Sequence, residues 1–91
     1  MKFSEISLKI PVYEGGLADP GQDDDFIDVQ IDHGEVVVWA NPSGLRTLAI
    51  RLLSLAQEDV PEGYHFHLSS SYGLEESSAS LILGRQRDST G

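Results

Sequence analysis

Apolar and polar residues alternate along residues 4–12. Ile6, Leu8, Ile10 and Val12 fall on one side, and Glu5, Ser7 and Lys9 on the other. A period of two predicts a half-buried strand, with Pro11 marking an edge or a bulge near its end. The Gly-, Pro- and Asp-rich stretch 13–25 then reads as a long loop. Alternation resumes over 26–32, where Ile27, Val29 and Ile31 form the apolar set. His33-Gly34 suits a two-residue hairpin turn, because glycine accepts positive φ freely and histidine tolerates it better than most residues. That turn pairs Ile31 with Val36, Val29 with Val38 and Asp28 with Trp39. Directly opposed residues share a face. The four β-branched residues in those pairs therefore gather on one side, so register and hydrophobicity agree.

The period then changes. Asn41 is a good N-cap and Pro42 a favoured first helical residue. Leu45, Leu48, Ala49, Leu52, Leu55 and Ala56 recur at three- and four-residue steps, with Ile50 and Leu53 broadening the stripe. Arg46, Arg51 and Gln57 mark the side expected to face water. Residues 58–63 end the helix. A strand is predicted over 64–68, with Tyr64, Phe66 and Leu68 inward and His65 and His67 outward. Another is predicted over 77–83, with Ala79, Leu81 and Leu83 inward. The expected fold is α+β, in the order strand, strand, strand, helix, strand, strand: a five-stranded, mainly antiparallel sheet with one helix on one face. Residues 1–84 make the single domain and 85–91 a flexible tail.

One helix covers one face of a sheet. The other face would carry Phe26, Asp28, Glu35, Val37, Trp39, His65, His67 and Ile82 among other polar residues. Trp39 is the chain's one tryptophan. Aromatic residues ringed by polar ones resemble an interface hot spot, so these eight are the candidate partner-binding residues. The competing reading is that the 13–25 loop, or the tail, folds back over Trp39 as a minor second core.

Composition narrows the choice of partner. The chain has 91 residues, 15 acidic against 6 basic, a net charge of −9 and no cysteine. Phosphate binding needs Lys and Arg, which argues against nucleic acid. A basic protein would be drawn in by long-range attraction. Without cysteine there is no disulfide and no thiolate ligand or nucleophile. The N-terminus lacks a signal pattern and no apolar run approaches membrane-spanning length, so a cytoplasmic protein with no membrane partner is expected.

His65-Phe66-His67 puts two imidazoles about 7 Å apart on one face of a strand. Such a pair can chelate a metal if carboxylates join it, but a polar strand face is the simpler reading. Asp23-Asp24-Asp25 lacks the ligand spacing of a calcium loop. No serine sits in a nucleophile-elbow pattern, and neither Gly15-Gly16 nor Gly44 matches a phosphate-binding fingerprint. No enzyme activity, metal or cofactor is expected.

Three stretches carry a resemblance: the helix opening Gly44-Leu45-Arg46-Thr47-Leu48-Ala49, the strand His65-Phe66-His67-Leu68, and the run Leu74 to Leu83. Together they resemble the immunity protein 32 family of bacterial polymorphic toxin systems, over roughly residues 35–84. The resemblance implies a small cytoplasmic protein that protects its producer by binding and blocking a toxin domain. A homodimer through the open sheet face is the alternative.

Overall fold

The computed structural model describes residues 1–87. Strand β1 (Ile27–Asp32) and strand β2 (Glu35–Ala40) form an antiparallel hairpin. Helix α1 (Pro42–Leu55) follows, then β3 (His65–Leu68) and β4 (Leu81–Gly84), which pair antiparallel. The fold is α+β, but the expected single five-stranded sheet is not formed. Four strands make two separate two-stranded sheets.

The hairpin has the expected register, Asp28 opposite Trp39 and Val29 opposite Val38. His33 at φ 51° and Gly34 at φ 78° give the two positive values of a type I′ turn.

Residues 4–12 form no strand, and Ile6 is 78% exposed. They cannot pair with β1, which has no edge left to offer. Residues 75–79 take it: the N–H of Glu75 donates to Ile27 C=O at 2.9 Å and that of Ala79 to Val29 C=O at 2.8 Å. The Val29 N–H donates to Ser78 Oγ at 2.8 Å. This also explains why the last strand starts at Leu81 rather than at 77. Segment 77–80 serves β1's edge before the chain turns to pair with β3.

Helix α1 starts as expected but is turned about its axis, so that Leu48 and Leu55 of the stripe reach the core and the rest of it does not. Asn41 Oδ1 accepts from Gly44 N–H at 2.7 Å and from Phe26 N–H at 3.0 Å, so one side chain caps the helix and ties it to the entry of β1. The helix buries Gly44, Thr47, Arg51, Ser54 and Leu55. Leu45, Leu52 and Leu53 of the apolar stripe are exposed. Arg51, expected on the wet side, is 1% exposed. Its NH2 donates to Asp19 Oδ1 at 2.8 Å, and its guanidinium lies 6.0 Å from the centre of the Phe66 ring. A distant carboxylate thus lets a charged residue occupy an interior position.

Two apolar clusters make the core. Ile27, Val29, Leu68 and Leu74 gather with Ala40, Leu48, Ala79 and Leu81. Leu55, Val60 and Phe66 gather with Tyr13, Leu17, Tyr64 and Leu83. The 13–25 loop packs against this second cluster and along α1. Tyr64 OH accepts from Leu17 N–H at 2.7 Å, and Asp25 Oδ1 accepts from the hydroxyls of Ser43 at 2.5 Å and Thr47 at 3.1 Å. Arg85, at the start of the expected tail, donates from NH1 to the carbonyls of Leu55 and Gln57, each at 2.7 Å. A cation therefore satisfies the C-terminal carbonyls of α1. The rest of the expected tail from residue 88 onward lies outside the described residues.

Candidate partner-binding face

The split into two sheets divides the eight candidate residues. Phe26, Asp28, Glu35, Val37 and Trp39 stay together at the hairpin. His65, His67 and Ile82 lie on the second sheet, where His67 faces Ile82 across the strand pair. They do not make one open face.

At the hairpin, Trp39 is 61% exposed. The 13–25 loop, which could have sealed it, is occupied with α1 and Tyr64 instead. Phe26 is exposed beside it, Glu35 is exposed near the turn and Val37 is half-buried. Phe26 and Asp28 line a shallow cavity of about 370 Å³ with Glu75, Glu76 and Ser77. Asp28, the register partner of Trp39, is the exception to the exposed set, at 8%. Its Oδ2 accepts from Gln30 Nε2 at 2.9 Å, and its Oδ1 has no partner among the described residues. A buried carboxylate oxygen with an unused acceptor is costly, and such groups concentrate where a ligand or partner supplies the missing donor. An exposed phenyl ring and three carboxylates thus share one cavity, and the exposed indole of Trp39 lies on the neighbouring strand opposite Asp28.

Glu75 and Glu76 were not singled out from the sequence. Their acidity was visible, but their return to the start of β1 depends on the Glu75–Ile27 backbone bond. No local pattern announces a contact across that much chain.

On the second sheet, His65 and His67 are exposed. His65 Nδ1 lies 3.0 Å from Gly63 C=O. Among the described residues, no three His, Cys, Asp or Glu side chains are grouped to hold a metal. The acidic run has a structural role, since Asp24 and Asp25 receive Ser43 and Thr47 at the first turns of α1. Acids there suit the helix dipole. No helix of the described residues is long and apolar enough to cross a membrane.

Residues 35–86, more than half of the chain, match the family Immunity protein 32. The chain belongs to this family. The matched stretch runs from β2 through β4. The Immunity protein 32 region therefore includes Trp39, the whole of α1, both histidines and the Glu75-Glu76 rim, while Phe26 and Asp28 on β1 precede it. No curated protein and no solved structure matches the chain.

Proposed function

We propose that this immunity protein acts in the cytoplasm, where it neutralises a bacterial toxin domain by direct contact through the hairpin face centred on Trp39. The observation that carries this reading is the exposed Trp39 beside the acidic cavity of Asp28, Glu75 and Glu76. An aromatic anchor can fill a pocket on the partner while the carboxylates receive a Lys or Arg side chain. The net charge of −9 favours a basic toxin and speeds encounter with it. Family membership supports a protein partner. Phe26, Glu35 and Val37 form the near surround of Trp39. His65, His67 and Ile82, on the second sheet, are a separate patch and secondary in this reading.

The test is co-expression of the chain with the toxin domains of its source genome, one at a time, with growth as the readout. Wild-type protein restores growth. Trp39→Ala weakens the complex by about 2 kcal/mol or more, roughly thirtyfold, as expected of a hot spot. Full protection by a folded variant carrying both Trp39→Ala and Asp28→Asn would overturn the assignment of this face.

A further inference from the structure

Strand β1 is bonded along both its edges, and the two sets of bonds settle which way the backbone of β2 points. On one edge, the carbonyls of Ile27 and Val29 accept from Glu75 and Ala79. On the other, Asn41 N–H donates to Phe26 C=O at 3.1 Å, which continues the hairpin register one pair beyond Ala40. Hydrogen-bonded pairs alternate along an antiparallel ladder. Asp28 with Trp39, Gln30 with Val37 and Asp32 with Glu35 are therefore the bonded pairs. The N–H and C=O groups of Val36, Val38 and Ala40 point the opposite way, to an edge that no strand joins among the described residues.

Open donors and acceptors at strand spacing are complementary to another extended chain. The side chains narrow its chemistry. Val36 and Val38 are exposed on one face, where Ile31 lies exposed opposite Val36. Glu35, Val37 and Trp39 line the other face, which Asp28 and Asp32 share. Residues 26–40 hold no lysine and no arginine. A strand that fits this edge alternates apolar residues beside Val36 and Val38 with a Lys or Arg beside Glu35. A second copy of β2 would bring another Glu35 and no base, on a chain of net charge −9. The chain's own N-terminal segment is held elsewhere: Gln57 Nε2 donates to Pro11 C=O at 2.9 Å, and Leu8 lines a cavity with Ser43 and Ile50 of α1.

We propose that the outer edge of β2 is a docking site for an extended basic segment of the protein partner, which adds to the hairpin as a third strand. This inference rests on the proposed function for its basic partner at the hairpin, and it adds the mode of binding. Backbone bonds to Val36, Val38 and Ala40 hold the segment, while Trp39 and Glu35 flank it on one face.

Amide hydrogen exchange of the full chain, followed by NMR, tests this with a short blocked peptide of alternating Lys and Val. At about ten times its Kd the peptide should slow exchange of the Val36, Val38 and Ala40 amides about tenfold. The amides of Val37 and Trp39, already bonded to β1, should not change. The same peptide methylated on every amide should give no protection, and neither should a Glu-Val peptide. Val38→Pro removes a donor from the free edge, a position where an edge strand tolerates proline. It should abolish the protection while thermal unfolding stays cooperative. Unchanged exchange at millimolar Lys-Val peptide overturns the inference and leaves the Trp39 contact to be judged by the growth assay. Equal binding of the methylated peptide overturns it by placing recognition on side chains alone, and equal binding of the Glu-Val peptide overturns the basic segment. Protection of the same amides that rises with protein concentration in the absence of peptide would give the edge to a second copy, and also overturns it.

Discussion

Arg51 donates to Asp19 Oδ1 at 2.8 Å from a position where its own side chain is 2% exposed and that of Asp19 is 28% exposed. Nε and NH1 of Arg51 have no hydrogen-bond partner among the described residues. The pair is thus lopsided: the cation is sealed in and leans on one partly wet carboxylate. Removing that carboxylate strands a buried charge, which costs about 3–5 kcal/mol. Replacing the cation with an apolar residue of similar length removes the charge and its unpaired donors together. Urea unfolding is expected to show Asp19→Ala as clearly more destabilising than Arg51→Met, although the arginine is the more buried residue.

Acid should loosen the same region. Asp19 and Asp25 both titrate below the ordinary carboxylate value of 3.8. Burial alone would raise each of them. For Asp19, hydrogen bonds from the Tyr72 hydroxyl, the Gly21 N–H and Arg51, together with the Arg51 charge, outweigh burial. For Asp25, the Ser43 hydroxyl, the Gln22 N–H, the Thr47 hydroxyl and the Arg51 charge do so. A carboxylate whose pKa falls on folding contributes stability above its unfolded value and loses it as pH drops through its folded value. Melting temperature should therefore fall steeply below pH 3.8, and less steeply in Asp19→Asn. Tyr72 moves oppositely. Its hydrogen bond to Asp19, and then the Asp19 charge, raise it above 10.0, so its contribution is present below that pH and is lost as pH rises through the raised value. Tyr72→Phe should remove this alkaline dependence.

Two leucines of similar chemistry should behave differently. Leu68 is 0% exposed and sits in the cluster with Ile27, Val29 and Leu74. Leu68→Ala should cost about 2–5 kcal/mol of transfer and cavity energy. Leu53→Ala, on the exposed side of α1, should change stability by no more than about 0.5 kcal/mol in thermal unfolding.

Gly44 has no room for a side chain. A Cβ there would meet the Phe26 carbonyl oxygen and lie 2.9 Å from Ile27 Cγ1. Alanine would improve helix propensity by about 1 kcal/mol in isolation. Here Gly44→Ala should instead destabilise by about 1–3 kcal/mol, because backbone must move. Asn41→Ala should cost about 1–2 kcal/mol through loss of the cap and its tie to Phe26. Thermal unfolding of both variants checks this.

The lone tryptophan reports directly on the hairpin face. Intrinsic fluorescence should be red-shifted and readily quenched by acrylamide, and Trp39→Ala should leave the melting temperature nearly unchanged. A blue-shifted, quencher-resistant signal would mean that Trp39 is covered.

What could be read from sequence was what is local. The type I′ turn, the hairpin register and the Asn41-Pro42 helix start each depend on neighbours within a few positions. What could not be read was adjacency. Residues 4–12 carry a sound strand pattern but cannot join β1, whose second edge is held by residues 75–79. The helix stripe was real but its orientation was not encoded in its period. Asp19 decides that Arg51 goes inside, and Asp19 lies in a loop whose path no periodicity describes. The candidate site divided for the same reason: the second sheet kept its alternation, while in the hairpin Ile31, Val36 and Val38, expected inward, are exposed and Asp28, expected outward, is buried, because the helix does not cover that face.

The segment from Glu75 to Ala79 has one further effect. A hairpin rich in valine, with a bare outer strand and neither lysine nor proline on that strand, is the kind of element that stacks without end when both its sides are available. Ser78 and its neighbours close one side with backbone and hydroxyl bonds to β1. A strand that pairs along β2 can extend the sheet in that direction only, so the growth of an indefinite fibre is blocked by five residues of loop.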